Sequence, residues 1–306
     1  MRPLATLAVW GACVALSGCA SLASADDWPD PLAGSGGAST SSSGPSSGAG
    51  GVGGSTGSGG STGSGGSDGG GGGVSIGCPL LSRTSIAYVE LVEGDTPQSY
   101  WRFNEASGST ALDHMGVHEG TYAGGRTLGA AGVFGDNSAV ELDGTGTVII
   151  GDDLNFTGMM PFTIEAWICR APTTPDKYRR IVDKLQLTPE KDGYALEIHE
   201  PDGKLSLQRW GFGGSDVVST TLEDDGSYHH VVGVFTGSTS LLYVDGVQKD
   251  TGPATKNLSD VQEKLVVGNN EAGTNGFLGV IDEVAVYEEA LTEMQIQLHY
   301  DAALPP

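Results

Sequence analysis

The chain has 306 residues, with 50 glycines, 7% aromatic residues and a formal net charge of −23. A charge of that sign repels phosphate backbones and excludes nucleic acid as a partner class, while it tolerates divalent cations and neutral or basic ligands.

Met1 and Arg2 followed by the apolar run Leu4 to Leu16 form a basic and then a hydrophobic region, too short to span a bilayer as a mature helix. Residues 1–18 therefore read as a signal peptide. The run ends in Leu16-Ser17-Gly18-Cys19, which resembles a bacterial lipobox, in which the cysteine thiol accepts lipid and becomes the mature N-terminus. The alternative is ordinary cleavage near Ala23 or Ala25. With Cys19 lipidated, residues 19–33 form the anchored terminus, and the lipid is the contact with the membrane.

Residues 34–76 follow as a linker. Gly34 to Ser75 holds 20 Gly, 13 Ser and 3 Thr in 42 positions, and Gly-Gly-Ser-Thr-Gly-Ser repeats from Gly53. Such a segment has nothing with which to build a core, and it predicts a flexible tether of roughly 35 Å root-mean-square span. Arg2, Asp26, Asp27, Asp30 and Asp68 precede residue 77, so the remainder carries 14 basic against 34 acidic side chains, a net of −20.

Residues 77–304 read as one domain, long enough for a single sandwich core. Short alternating runs separated by Gly, Asp-Gly and Asn fill Tyr100 to Tyr287, the pattern of an antiparallel sandwich. In Thr163-Ile164-Glu165-Ala166-Trp167-Ile168, one face holds Ile164, Ala166 and Ile168, and the other Thr163, Glu165 and Trp167. Leu241 to Val244, Asp245-Gly246 and Val247 to Lys249 spell a two-residue hairpin. Beyond Tyr287 the period lengthens, with Leu291, Met294 and Leu298 on one stripe and Thr292 and Gln295 spaced as a capping box, so a short helix closes the chain.

These blocks occur in a familiar order: Tyr100-Trp101-Arg102-Phe103-Asn104-Glu105, Ala139 to Gly144, Phe162 to Ile168, Tyr228-His229-His230-Val231, Leu242 to Val247 and Gly276 to Tyr287. Together, over about residues 97 to 303, they resemble a LamG-like jelly-roll of the concanavalin A-like lectin/glucanase superfamily. The resemblance implies an all-β, two-sheet antiparallel jelly-roll sandwich with one short C-terminal helix.

The same superfamily contains glucanases, whose catalysis needs two carboxylates on one face. The Glu-x-Asp-x-x-Glu signature of its laminarinase-like members is absent, and Glu197 and Glu200 fall on opposite strand faces. A binding role without catalysis is therefore expected. By resemblance, one structural calcium would sit between Glu105, Asp113 and Asp282, although Asp113-His114-Met115-Gly116-Val117 lacks the family's serine and asparagine oxygens. The alternative is that Asp113 and Asp282 accept backbone N–H groups in turns.

Trp210 shares its strand face with Gln208 and Ser206, one ring beside amide and hydroxyl groups, the combination that recognises a sugar. Tyr194 is a further aromatic candidate, and the edge of Arg209 a further polar one. A tryptophan that merely covers a loop fits the same pattern. Cys78 and Cys169 are the thiols left after Cys13 and Cys19, and they suggest one disulfide in an exported chain, the alternative being two buried thiols. The expected protein is thus exported and lipid-anchored at the cell envelope, at the outer membrane or cell surface. Its partner is a glycan or another cell-surface protein.

Overall fold

The computed structural model describes residues 77–305, except 82, 172–177, 201 and 224. The expected signal peptide 1–18, the expected lipidation at Cys19, residues 19–33 and the expected linker 34–76 lie outside the described residues.

The chain enters through a helix, α1 (Ile86–Gly94), and continues in strands β1 (Ser99–Trp101), β2 (Thr110–Ala111), β3 (Gly120–Ala123), β4 (Arg126–Ala131), β5 (Ser138–Asp143) and β6 (Thr147–Gly151). Longer strands follow: β7 (Phe162–Arg170), β8 (Tyr178–Gln186), β9 (Asp192–His199), β10 (Lys204–Gly211), β11 (Gly214–Thr221) and β12 (His229–Phe235). The chain ends with β13 (Thr239–Val244), β14 (Val247–Pro253), β15 (Leu265–Val267), β16 (Leu278–Tyr287) and the helix α2 (Glu293–Ala303).

Two antiparallel sheets form, each of eight strands. The first has the order β14-β13-β12-β7-β16-β5-β4, with β1 paired to the far half of β16, and the second runs β11-β10-β9-β8-β15-β6-β3-β2. Sequence neighbours are repeatedly separated in space, as in a jelly-roll.

Alternation decides what each face meets. Ile164, Ala166 and Ile168 of β7 enter the core between the sheets with Leu196, Ile198, Leu205, Leu207 and Val286. The opposite face of the first sheet is also buried, because Trp167, Cys169, Val232, Val234 and Tyr287 pack beneath the helices against Tyr88, Val92, Leu291 and Ile296. Burial on both faces explains why all nine residues of β7 are buried.

The β13–β14 hairpin forms as expected, with Val244 opposite Val247 and both Asp245 (φ 53) and Gly246 (φ 72) in the left-handed region that a type I′ turn requires. Helix α2 carries the complete capping box, with Thr292 accepting from the Gln295 backbone and Gln295 reaching back. Helix α1 adds a second helix to the one expected at the C-terminus. Its nine residues bury Tyr88 and Val92, one turn apart, under α2 and β7. A bridge between Cys78 and Cys169 ties the entry of the domain to β7 across 91 residues.

Candidate functional site

The face of the second sheet turned away from the core carries a chain of polar side chains across three neighbouring strands. On β10, Leu205 and Leu207 point inward, so Ser206, Gln208 and Trp210 point outward, with Trp210 half-buried. On β9, Leu196 and Ile198 point inward and leave Ala195 and Glu197 outward.

The indole Nε1 of Trp210 donates to Gln208 Oε1 at 2.9 Å, and Gln208 Nε2 donates to Glu197 Oε1. The other oxygen of Glu197 pairs with Nη1 of Arg180 on β8, whose Nε lies 3.2 Å from Asp183 Oδ1. The ammonium of Lys191 sits 4.7 Å from the centre of the Trp210 ring.

Burial dominates the electrostatics here. It pushes both carboxyls up to about 7, Asp183 against the pull of Arg180 and Glu197 against the pulls of Arg180 and Lys191. Arg180 pairs with an oxygen of each acid, and Gln208 donates to the other oxygen of Glu197. Glu200, three residues from Glu197, turns the other way to pair with Arg179 at 2.7 Å and Arg170 at 3.6 Å. Arg180, Asp183 and Glu197 were not singled out by the sequence as one group, because their proximity depends on cross-strand register: Arg180 opposes Glu197, and Glu197 opposes Ser206.

Beside this network, on β6 and β15, lies a cavity of about 140 Å³ lined by Thr145, Thr147, Ile149, Val266, Asn270 and Glu271 among others. Its loop is held by asparagine side chains: Asn269 Oδ1 accepts from the backbones of Asn270 and Asn275, and Asn270 Oδ1 from the backbone of Thr274 at 2.8 Å. At its rim, Glu271 accepts from the Lys264 backbone at 2.9 Å and pairs with the Lys264 ammonium at 3.2 Å, and the neighbouring carboxylates push Glu263 up and Glu271 down.

Trp210 and Gln208 share one face as expected. Tyr194 does not join them. It belongs to the inward set of β9, is 1% exposed, packs 4.9 Å from the Phe162 ring and donates to the Leu154 carbonyl at 2.8 Å. Arg209 also points inward, where it pairs with Asp216 and stacks 3.3 Å over Phe235.

The trio expected to hold calcium is not a ligand set. Asp113 accepts four backbone N–H groups, from Tyr100, Met115, Val117 and His118, at 2.8 to 3.2 Å. Asp282 accepts from the Val133 and Glu283 backbones and from Asn137 Nδ2, while Glu105 accepts from Leu112 N and the Tyr122 hydroxyl. With their lone pairs directed at N–H and O–H donors, these carboxylates do not fit a cation that needs six to eight oxygens. Among the described residues, no group of three His, Cys, Asp or Glu is arranged to hold a metal ion.

On the other side of the molecule, Glu165 of β7 is fully buried and accepts from Tyr88 (2.8 Å), Tyr287 (2.9 Å) and His230 Nε2 (2.7 Å). His299 of α2 completes this cluster and reaches Asp95 with its other nitrogen at 3.1 Å. The helices cover it, so it serves the fold.

A family model described as Concanavalin A-like lectin/glucanases superfamily, laminin G 3, matches residues 142–297. Among solved structures, the binding domain of Paraclostridial Mosquitocidal Protein 1 aligns with a TM-score of 0.52 at 16% identity over 66% of this chain and 51% of that one. Domain 4 of AbnA, a GH43 extracellular arabinanase from Geobacillus stearothermophilus solved in complex with arabinotriose, aligns with a TM-score of 0.50 at 18% identity over 68% of this chain and 98% of that one. The receptor binding domain of botulinum neurotoxin mosaic serotype C/D gives 0.53, 14%, 68% and 51% in the same order. This chain spans about half the length of the two toxin domains. At these identities the likeness concerns the fold. No curated protein matches the sequence.

Proposed function

We propose, starting from the fact that this chain belongs to the laminin G 3 family of the concanavalin A-like lectin/glucanases superfamily, that its folded domain is a non-catalytic module that binds carbohydrate. The observation that carries this reading is the Trp210–Gln208–Glu197–Arg180 chain, which fixes an aromatic ring and an amide on a sheet face and braces them with buried charges. A ring held this way offers apolar surface to a sugar at little cost in side-chain freedom on the face not covered by Lys191. The arabinanase domain with bound arabinotriose shares the fold, which supports arabino-oligosaccharides as the first probes.

The same network argues against hydrolysis. A glycosidase pair needs one carboxyl free to protonate the leaving oxygen and one free to attack or to activate water. Glu197 has one oxygen on Arg180 and the other on Gln208, and Asp183 has Oδ1 on Arg180. Cell-surface protein remains the alternative partner, supported by the toxin binding domains of the same fold. Lipid at Cys19 and the Gly/Ser-rich residues 34–76 would hold the module at the outside of an envelope.

Calorimetry with a glycan selected on an array, run beside a reducing-end assay on the same glycan, tests the reading. Saturable binding without released ends is expected, and release of reducing ends overturns the non-catalytic assignment.

A further inference from the structure

The β10–β11 hairpin forms one edge of the second sheet, and its outer face is open to solvent towards the turn. Register places Gln208 opposite Val217 and Trp210 opposite Ser215, and Gly211 opposite Gly214 closes the turn Phe212-Gly213. Because Val218 enters the core and Asp216 turns inward to Arg209, Ser215, Val217 and Ser219 stand on the outer face with Trp210. This surface is accessible along its length: Phe212 is 88% exposed and Val217 48%, while Gln208, Trp210, Ser215 and Ser219 are half-buried.

We infer that the ligand lies along this hairpin towards its tip, with Val217 and Phe212 adding apolar contacts to the Trp210 ring, and that it is an uncharged oligosaccharide. This rests on the carbohydrate reading above and specifies its ligand and its direction.

Single exposed apolar side chains are ordinary on a protein surface, but Val217, Trp210 and Phe212 follow one another along one hairpin and form a strip. From the Gln208–Val217 pair to Phe212 the chain advances four residues, roughly 13 Å at about 3.3 Å each, which is longer than a single sugar ring. Polar groups border the strip, since Ser215 faces Trp210 across the ladder and Gln208 faces Val217. A sugar ring carries C–H groups on its faces and hydroxyls at its rim, so this alternation matches it. None of the six side chains is charged. The 34 acidic against 14 basic side chains from residue 77 onward repel anionic chains and anionic membrane surfaces, which leaves a neutral glycan as the occupant.

The inner side of the hairpin is already fixed. Arg209 pairs with Asp216 at 3.1 Å, Asp216 accepts from the Thr255 and Lys256 backbones at 2.9 and 2.8 Å, and Lys256 Nζ donates to the Gly213 carbonyl at 3.0 Å. Anchored from beneath and at its turn, the strip has little backbone freedom left to lose on binding.

The test titrates linear arabino-oligosaccharides and β-1,3- and β-1,4-linked gluco-oligosaccharides of two to six units into the wild-type protein by calorimetry, with oligogalacturonates of the same lengths as the anionic arm. The tightest neutral binder is then titrated into Trp210→Ala, Phe212→Ser and the double variant Phe212→Ser/Val217→Ser, with melting temperatures recorded to show that each is folded. Phe212→Ser should weaken that ligand about tenfold and the double variant more, with little change in melting temperature because both side chains are exposed. Oligogalacturonates should bind at least tenfold more weakly than the neutral ligand, and tighter binding by them overturns the neutral class. Unchanged affinity in the folded double variant overturns the hairpin strip, and a weakened Trp210→Ala beside it leaves the carbohydrate reading standing. Binding of none of the series at millimolar concentration overturns the carbohydrate reading and the strip together.

Discussion

Nδ1 of His299 on α2 lies 3.0 Å from Oε2 of Glu165 on β7, so a buried ion pair joins the closing helix to the central strand of the first sheet. Burial alone would push Glu165 up, but His299 and His230 outweigh it and hold the carboxyl well below its ordinary 4.5. For His299, burial pulls the ring down, and Glu165 and Asp95 raise it above 6.5.

The sign of the pH dependence follows. The stabilisation from Glu165 is present above its unfolded value and is lost as pH falls through its depressed folded value. That from His299 is complete below 6.5 and is lost as pH rises through its elevated folded value. The cluster thus stabilises most between pH 4.5 and 6.5. The melting temperature of His299→Gln should fall less between pH 6 and 9 than that of the wild type. The titrations of Asp183 and Glu197 near 7 are common to both proteins and cancel in the difference. Parallel curves would show that His299 is not the group responsible. Glu165→Gln strands two histidines and should cost about 3–5 kcal/mol in urea unfolding.

Reducing the Cys78–Cys169 bridge, or replacing both residues by alanine, releases a loop with a sequence separation of 91. In the chain-entropy model that loop is worth roughly 4–5 kcal/mol. The double variant should melt well below the wild type in differential scanning calorimetry, and a fall under about 5 °C would mean that the helical layer already fixes the entry segment.

Asp113→Ala leaves four backbone N–H groups without their acceptor and should destabilise by more than about 3 kcal/mol, because each buried unpaired donor costs about 1–3 kcal/mol. Addition of a chelator should leave the wild-type melting temperature unchanged. A clear drop on chelation would restore a bound cation to this region.

Trp210→Ala removes the ring that Gln208 positions, and truncation of such an anchor costs about 2 kcal/mol or more, roughly thirtyfold in affinity for the selected glycan. The fold should survive, since the residue lies outside the core. Unchanged affinity would take Trp210 out of the site.

Cys19→Ala should shift the protein from the detergent phase to the soluble exported fraction, because lipid on that cysteine is the proposed anchor. Continued partitioning into detergent would refute lipidation.

Local chemistry was legible in the sequence wherever neighbours along the chain decide the outcome. Asp245-Gly246 specified its hairpin, Thr292 and Gln295 their cap, and the alternation in Phe162 to Ile168 its two faces. The same alternation, applied to Tyr194, Leu196 and Ile198, would have placed Tyr194 in the core. Features set by register across strands were not legible: nothing within one strand says that Arg180 meets Glu197, or that Val266 stands between Ile149 and Asp183. Helix α1 escaped because β-branched Ile86, Val89 and Val92 blur its period and its N-terminal Ser85 makes no side-chain cap. For Asp113 the family resemblance suggested a cation, and the turn chemistry of a buried aspartate prevailed.

The disulfide also fixes how the domain bears load. Tension arriving along the chain from the N-terminal side reaches Cys78 and crosses directly to Cys169 on β7, a strand hydrogen-bonded on both sides, to β12 and β16. Helix α1 and strands β1 to β6 lie inside the covalent loop and carry none of that force. A pull on the ligand proposed at β10 would therefore be resisted by the second sheet and the core, while the segment between Cys78 and β7 is spared.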